Sequence, residues 1–203
     1  MSANQTGHGD DQQRDSNAAA DIGAAPPADY VKAYAKALKD SALPSEDEGL
    51  DIAALAVVAE FAARTALIRE GDGPAVSLDH GLGEGAGRRM WLAVINRDMP
   101  FLVDSISQIA DAHGLIIHRL LHPVVTVERD AAGRLQRVSP DKDGAGARES
   151  VIFMEIGHAG AKARHEFLDA LKISLGDVAA AVRDWKAMRA EMLADAAMRT
   201  EGE

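Results

Sequence analysis

The sequence predicts an α+β fold: a βαβ-based antiparallel sheet with helices, a helical hairpin ahead of it and a long C-terminal helix behind. Three observations predict it. Trp91-Leu92-Ala93-Val94-Ile95 is an apolar run of strand length that ends in the polar, turn-forming Asn96-Arg97-Asp98-Met99-Pro100. Residues 100–113 then carry Leu102, Ile106, Ile109 and Ala110 at helical spacing, and Gly114 stops that helix ahead of a second apolar run, Leu115-Ile116-Ile117. Helical patterns flank this unit on both sides, over residues 26–72 and 161–199.

Residues 1–25 are rich in Gln, Asn, Ser, Asp and Gly, and predict a disordered tail. They also lack the apolar core of a signal peptide. Pro26-Pro27-Ala28-Asp29 opens a helix through about Ser41, with Tyr30, Tyr34 and Leu38 at four-residue spacing, so both tyrosines are expected to pack against the next helix. Pro44 and the acidic residues around it mark a loop over 42–49. A second helix over 50–68 places Leu55, Val58, Phe61, Ala62 and Thr65 along one side, completing the hairpin of 26–72.

The α+β domain is expected over 74–176. Residues 75–80 alternate in their second half as a half-exposed edge strand does. The glycines of 81–87 invite a phosphate-loop reading, but a dinucleotide fingerprint needs a helix N-terminus directly after it. Here Arg88-Arg89 and a strand follow, so 81–87 reads as a hairpin connection. For the helix of 100–113, Asp98 is expected to cap the first free amides, Pro100 suits the first turn, and Gly114 supplies the reversal.

Residues 115–128 are too long and too apolar for a simple exposed strand, and Pro123 is expected to bend or bulge the segment or to place it on an edge. Asp130-Ala131-Ala132-Gly133 turns it into a hairpin with 134–138, and residues 149–156 form a further strand. Phe167, Leu168, Leu171 and Leu175 line the next helix, which Gly176 is expected to break or kink. A last helix over 177–203 carries Val178, Val182, Trp185, Met188 and Met192 on one stripe, either core or a docking face.

Composition narrows the function classes. Apolar residues make up 47% but aromatics only 4%, so Ala, Val, Leu and Ile must fill the core. A formal charge of −10 at pH 7 argues against general nucleic-acid binding, which rests on cationic contacts to phosphate. With no cysteine, disulfides, thiolate metal sites and a cysteine nucleophile are excluded. The longest apolar stretch, 52–67, is interrupted by Glu60 and Arg64 and falls short of a membrane span, so a cytoplasmic location is expected.

Asp98-Met99-Pro100-Phe101-Leu102, the helix with Ile106, and Gly114-Leu115-Ile116 resemble an ACT domain, a ferredoxin-like βαββαβ module that commonly senses amino acids. A wider set resembles the N-terminal region of the large bacterial NAD-dependent glutamate dehydrogenases: 94–105, Ile117-His118, His122-Pro123-Val124, Arg129-Asp130, Gly133-Arg134-Leu135, Glu149-Ser150 and Ala181-Val182-Arg183-Asp184-Trp185. In that family ACT-type modules precede a much larger catalytic region. The resemblance implies a regulatory or assembly module, non-catalytic by itself, with no cofactor of its own and NAD held in the parent's catalytic region. It also implies partners in downstream domains of the same polypeptide or in identical subunits, and an amino acid as candidate effector. Amino-acid-sensing ACT domains usually carry Gly directly after the Pro. Phe101 stands there in this chain, and its side chain is expected to fill the space a ligand would use. The module's fourth strand is missing after Ile156, and residues 75–78 are the candidate to supply it.

No residue set assembles a catalytic site. His118 and His122, four apart, would share a face of a strand, but structural zinc takes four ligands and no carboxylate is fixed beside them; they read as strand-surface histidines. Asp98 and Asp104 span a helix start, where a carboxylate is favoured electrostatically, and no His in the sequence stands near Asp104-Ser105 as a base. The candidate effector or interface turn is Asn96, Arg97, Asp98, Phe101, Leu102 and Val103, where the central strand meets its helix.

Overall fold

Alternation along the central strands decides the architecture. A computed structural model describes residues 25–42, 51–81 and 89–200. The expected disordered tail therefore lies outside the described residues up to position 24, as do 43–50 of the expected loop and 82–88 of the glycine-rich connection. Two helices come first, α1 (Ala28–Ser41) and α2 (Ile52–Ala66). The carbonyl of Pro27 accepts from the amides of Tyr30 and Val31 at the start of α1. The Asp51 side chain caps α2 by accepting from the Ala54 amide at 2.8 Å.

Six strands follow around one short helix: β1 (Ala75–His80), β2 (Arg89–Arg97), α3 (Leu102–Ala112), β3 (Ile117–Leu121), β4 (Val124–Arg129), β5 (Leu135–Ser139) and β6 (Ala147–Gly157). Every pairing is antiparallel, in the order β1-β2-β6-β4-β5, with β3 also on β6. Since β6 pairs with both β2 and β3, those two run parallel with β6 between them. This split arrangement, with β1 on the open side of β2, gives the chain an ACT-like sheet. The fourth-strand place is filled by β1, the segment named above as the candidate to supply it, which precedes the unit in sequence.

The long apolar segment 115–128 is interrupted at Pro123 outright and forms two strands. β3 pairs with residues 153–156 and β4 with residues 147–150 of β6. His122-Pro123 separates them because Pro123 has no amide to donate; its carbonyl instead accepts from Val151 at 2.9 Å.

The two faces of the sheet are covered by different helices. Trp91, Ala93, Ile95, Val151 and Phe153 face the α1–α2 hairpin, where Phe61, Trp91 and Phe153 pack ring to ring with centroids 5.7–6.0 Å apart. Met90, Leu92, Val94, Ile152, Met154 and Ile156 face α3 and the long helix α4 (Ala161–Thr200). Period-two alternation sends neighbours to opposite faces, so a strand covered on both sides is apolar without a break. That is why 91–95 reads as a continuous run.

The hairpin is tied to the sheet by a buried ionic cluster. Glu149 accepts from Nε of Arg69 and from Nε and Nη2 of Arg129, each at 2.8 Å. Arg129 also donates to the carbonyls of Ala66 and Gly133, and Arg69 to those of Gly71 and Gly73. Gly133 holds φ +78°, and a Cβ there would run into the Arg69 carbonyl, so the turn admits only glycine at this close approach.

α4 is continuous for 40 residues, and the break expected at Gly176 is absent. Nothing lies within 4 Å of where a Cβ would stand, and one glycine costs a helix only about 1 kcal/mol, which the packing of Phe167, Leu171 and Leu175 outweighs. The boundary expected between 176 and 177 thus falls inside a helix. Phe167, Leu171 and Leu175 bury its first half, whereas Trp185, Met188 and Met192 are 54–65% exposed. Among the described residues no helix is long and apolar enough to cross a membrane.

Candidate functional site

The turn between β2 and α3 packs against the second half of α4, and the contact leaves a cavity on either side. One is a cleft of about 270 Å³ lined by Asp72, Asn96, Arg97, Asp98, Met99, Ala179, Val182 and Arg183. The other is an apolar groove of about 630 Å³ lined by Pro100, Phe101, Val178, Ala181, Val182 and Trp185. Val182 is a wall of both.

Asn96 is the last fully enclosed position of β2. It is 2% exposed and lines the cleft. Arg97 reaches Asp72 at 3.0 Å, an exposed pair of little energetic weight. Arg183 pairs with its exposed neighbour Asp184, at 3.9 Å. Charges of both signs thus rim the cleft, while Met99 and Val182 supply an apolar wall.

Asp98 does not cap α3, as was expected of it. The helix starts only at Leu102, too far along the chain, and its cap position, Phe101, offers no side-chain bond. Asp98 accepts instead from Ser150 Oγ at 3.0 Å, pairs with Arg148 at 2.8 Å, and donates its amide to the Arg148 carbonyl. The acidic residue thereby fastens the turn to β6.

Phe101 does not fill the cleft either. It takes φ +71°, the left-handed conformation that glycine adopts without strain, and turns its ring outward to the groove, 65% exposed. Leu102 is buried between α3 and α4, and Val103 is part-buried in the same cluster, so these two serve the core and line neither cavity.

The histidine pair separates. His118 is exposed on β3, while His122 lies in the gap before β4 with Nε2 buried and unpaired. Burial pushes its pKa below the ordinary histidine value, with the Asp98 charge opposing in part. Among the described residues no group of three or more His, Asp or Glu side chains could hold a metal ion.

Two features escaped the pattern of the sequence. The cleft needs α4, whose Val182 and Trp185 were legible as an apolar stripe but whose Ala179 and Arg183 carried no signal of a place beside the β2–α3 turn. The buried cluster needs Arg69, 80 residues from Glu149, although an acidic residue opening an otherwise apolar strand was a signal.

The family described as glutamate dehydrogenase, ACT1 domain, matches residues 30–171. The NAD-specific glutamate dehydrogenase of Halomonas elongata is 39% identical over 104 residues, which cover 50% of this chain and 6% of that protein. The NAD-specific glutamate dehydrogenase of Pseudomonas aeruginosa is 36% identical over 104 residues, covering 48% of this chain and 6% of its own. The matched stretch is thus a small part of each relative. No solved structure matches the chain.

Proposed function

The chain belongs to the glutamate dehydrogenase ACT1 domain family, and from that premise we propose that it is a regulatory module of a large NAD-dependent glutamate dehydrogenase, non-catalytic by itself, with an amino-acid effector in the Asn96 cleft. The observation that carries this reading is the cleft itself, where the buried Asn96 lines a space rimmed by charges of both signs. A free amino acid complements such a site. Its carboxylate would meet Arg183 and the Asn96 Nδ2 donor, its ammonium the Asn96 Oδ1 and the carboxylates of Asp72 and Asp98, and its side chain Met99 and Val182. Binding of this kind shifts an equilibrium between conformations, with a coupling of typically about 1–3 kcal/mol.

The residues do not fit a dinucleotide. The β2–α3 turn carries Arg97, Met99, Pro100 and Phe101 where a backbone free of side chains would have to approach a pyrophosphate. In this reading NAD would be held in the parent's catalytic region, as the resemblance implies. A second reading, a scaffold without a small-molecule ligand, is favoured by the apolar groove beside Phe101 and Trp185, whose occupant would be a downstream domain of the same polypeptide.

A thermal-shift scan against the twenty amino acids, at two protein concentrations, separates the readings. A ligand of the native state at a hundredfold excess over its dissociation constant stabilises by about 2.7 kcal/mol. The effector reading expects a saturable rise with one or a few amino acids, abolished in Asn96→Ala and Arg183→Ala variants that melt as the parent does alone. No rise with any amino acid would sink it.

A further inference from the structure

We propose that Gly176 is a hinge, and that the part of α4 beyond it is a lever that closes on the Asn96 cleft when the effector binds. The inference rests on the effector reading above and adds how occupancy of the cleft would be transmitted.

Gly176 has no steric reason to be glycine. It is helical, it lacks a positive φ, and a Cβ would meet nothing within 4 Å. Alanine would fit and make a stiffer helix, since glycine is the weakest former after proline. Its place along the helix matters more. Leu175, immediately before it, is 1% exposed and is the last fully buried side chain described on α4. One side of Gly176 is therefore anchored in the core, and the other rests on the β2–α3 turn through the two cavities.

Lever residues line both cavities. Ala179, Val182 and Arg183 form one wall of the cleft, and Val182 with Trp185 forms one wall of the groove opposite Phe101. A ligand held between Asn96 and Arg183 draws that wall toward the turn. The same rotation moves Trp185 relative to the Phe101 ring, so the apolar groove changes shape when the polar cleft fills. The hinge lies about nine residues before Trp185, roughly 13 Å along the helix axis, so a few degrees at Gly176 shift the indole by about an ångström.

Hydrogen exchange and Trp185 emission test this on the full chain. Without ligand, amides of 177–185 are expected to exchange faster than those of 161–175, and Gly176→Ala to slow the former about fivefold. An amino acid that raises the melting temperature is expected to change the indole emission of the parent protein, less in Gly176→Ala and not at all in Trp185→Phe. Unchanged exchange in Gly176→Ala, or unchanged emission on saturation with an amino acid that does raise the melting temperature, would overturn the hinge while leaving the effector reading intact. If no amino acid raises the melting temperature, the effector reading fails and the closing step with it.

Discussion

Replacing Glu149 by Gln removes one charge from a position whose side chain is 1% exposed and faces two guanidinium groups that are 8% and 9% exposed. Three charge-assisted bonds of 2.8 Å are weakened together. Two buried cations then lack an anion, a situation that costs about 3–5 kcal/mol in comparable sites. Four carbonyl partners remain, on Ala66, Gly71, Gly73 and Gly133, and they soften the loss. The expected destabilisation is therefore at the low end, about 3 kcal/mol, a large part of the roughly 5–15 kcal/mol that holds a domain folded. For a chain of this length it corresponds to a melting point lower by about 6–12 °C. Urea unfolding followed by circular dichroism measures it, with the Trp91 environment reporting whether the hairpin leaves the sheet first. A loss below about 1 kcal/mol would refute the reasoning, because it would mean the cluster is hydrated and does not clamp the hairpin.

Two further outcomes follow from the turn. Phe101→Gly is expected to stabilise the fold by about 1 kcal/mol, since the strain of a left-handed phenylalanine is removed and an exposed ring loses little packing; Phe101→Ala keeps the strain and is expected to show no gain. Chemical denaturation of the two variants side by side makes the comparison. His122 titrates below its ordinary value, so the fold favours the neutral ring. Its contribution is complete above the unfolded pKa, near 6.5, and is lost as pH falls through the lower folded value. The melting temperature should fall more steeply below pH 6.5 in the parent protein than in His122→Gln, and equal slopes would contradict that assignment.

Local pattern carried the elements a long way. The strand at 91–95, the helix with Leu102, Ile106 and Ala110, the reversal at Gly114 and the turn at Gly133 were legible because each depends on neighbours a few residues away. The candidate turn was legible in part: Asn96, Arg97 and Asp98 line the cleft and Phe101 the groove, whereas Leu102 and Val103 belong to the core.

By itself, the sequence determined the fold class, the order of elements and the family resemblance, since periodicity and turn chemistry are properties of short segments. The tertiary structure decided what each polar group does. Asp98 satisfies Ser150, 52 residues away, and no helix amide. Glu149 meets Arg69 across 80 residues, and the cleft exists only where α4 crosses the turn. Charges and hydrogen bonds are settled by whichever partner folding brings within about 3 Å, and no spacing along the chain records that distance.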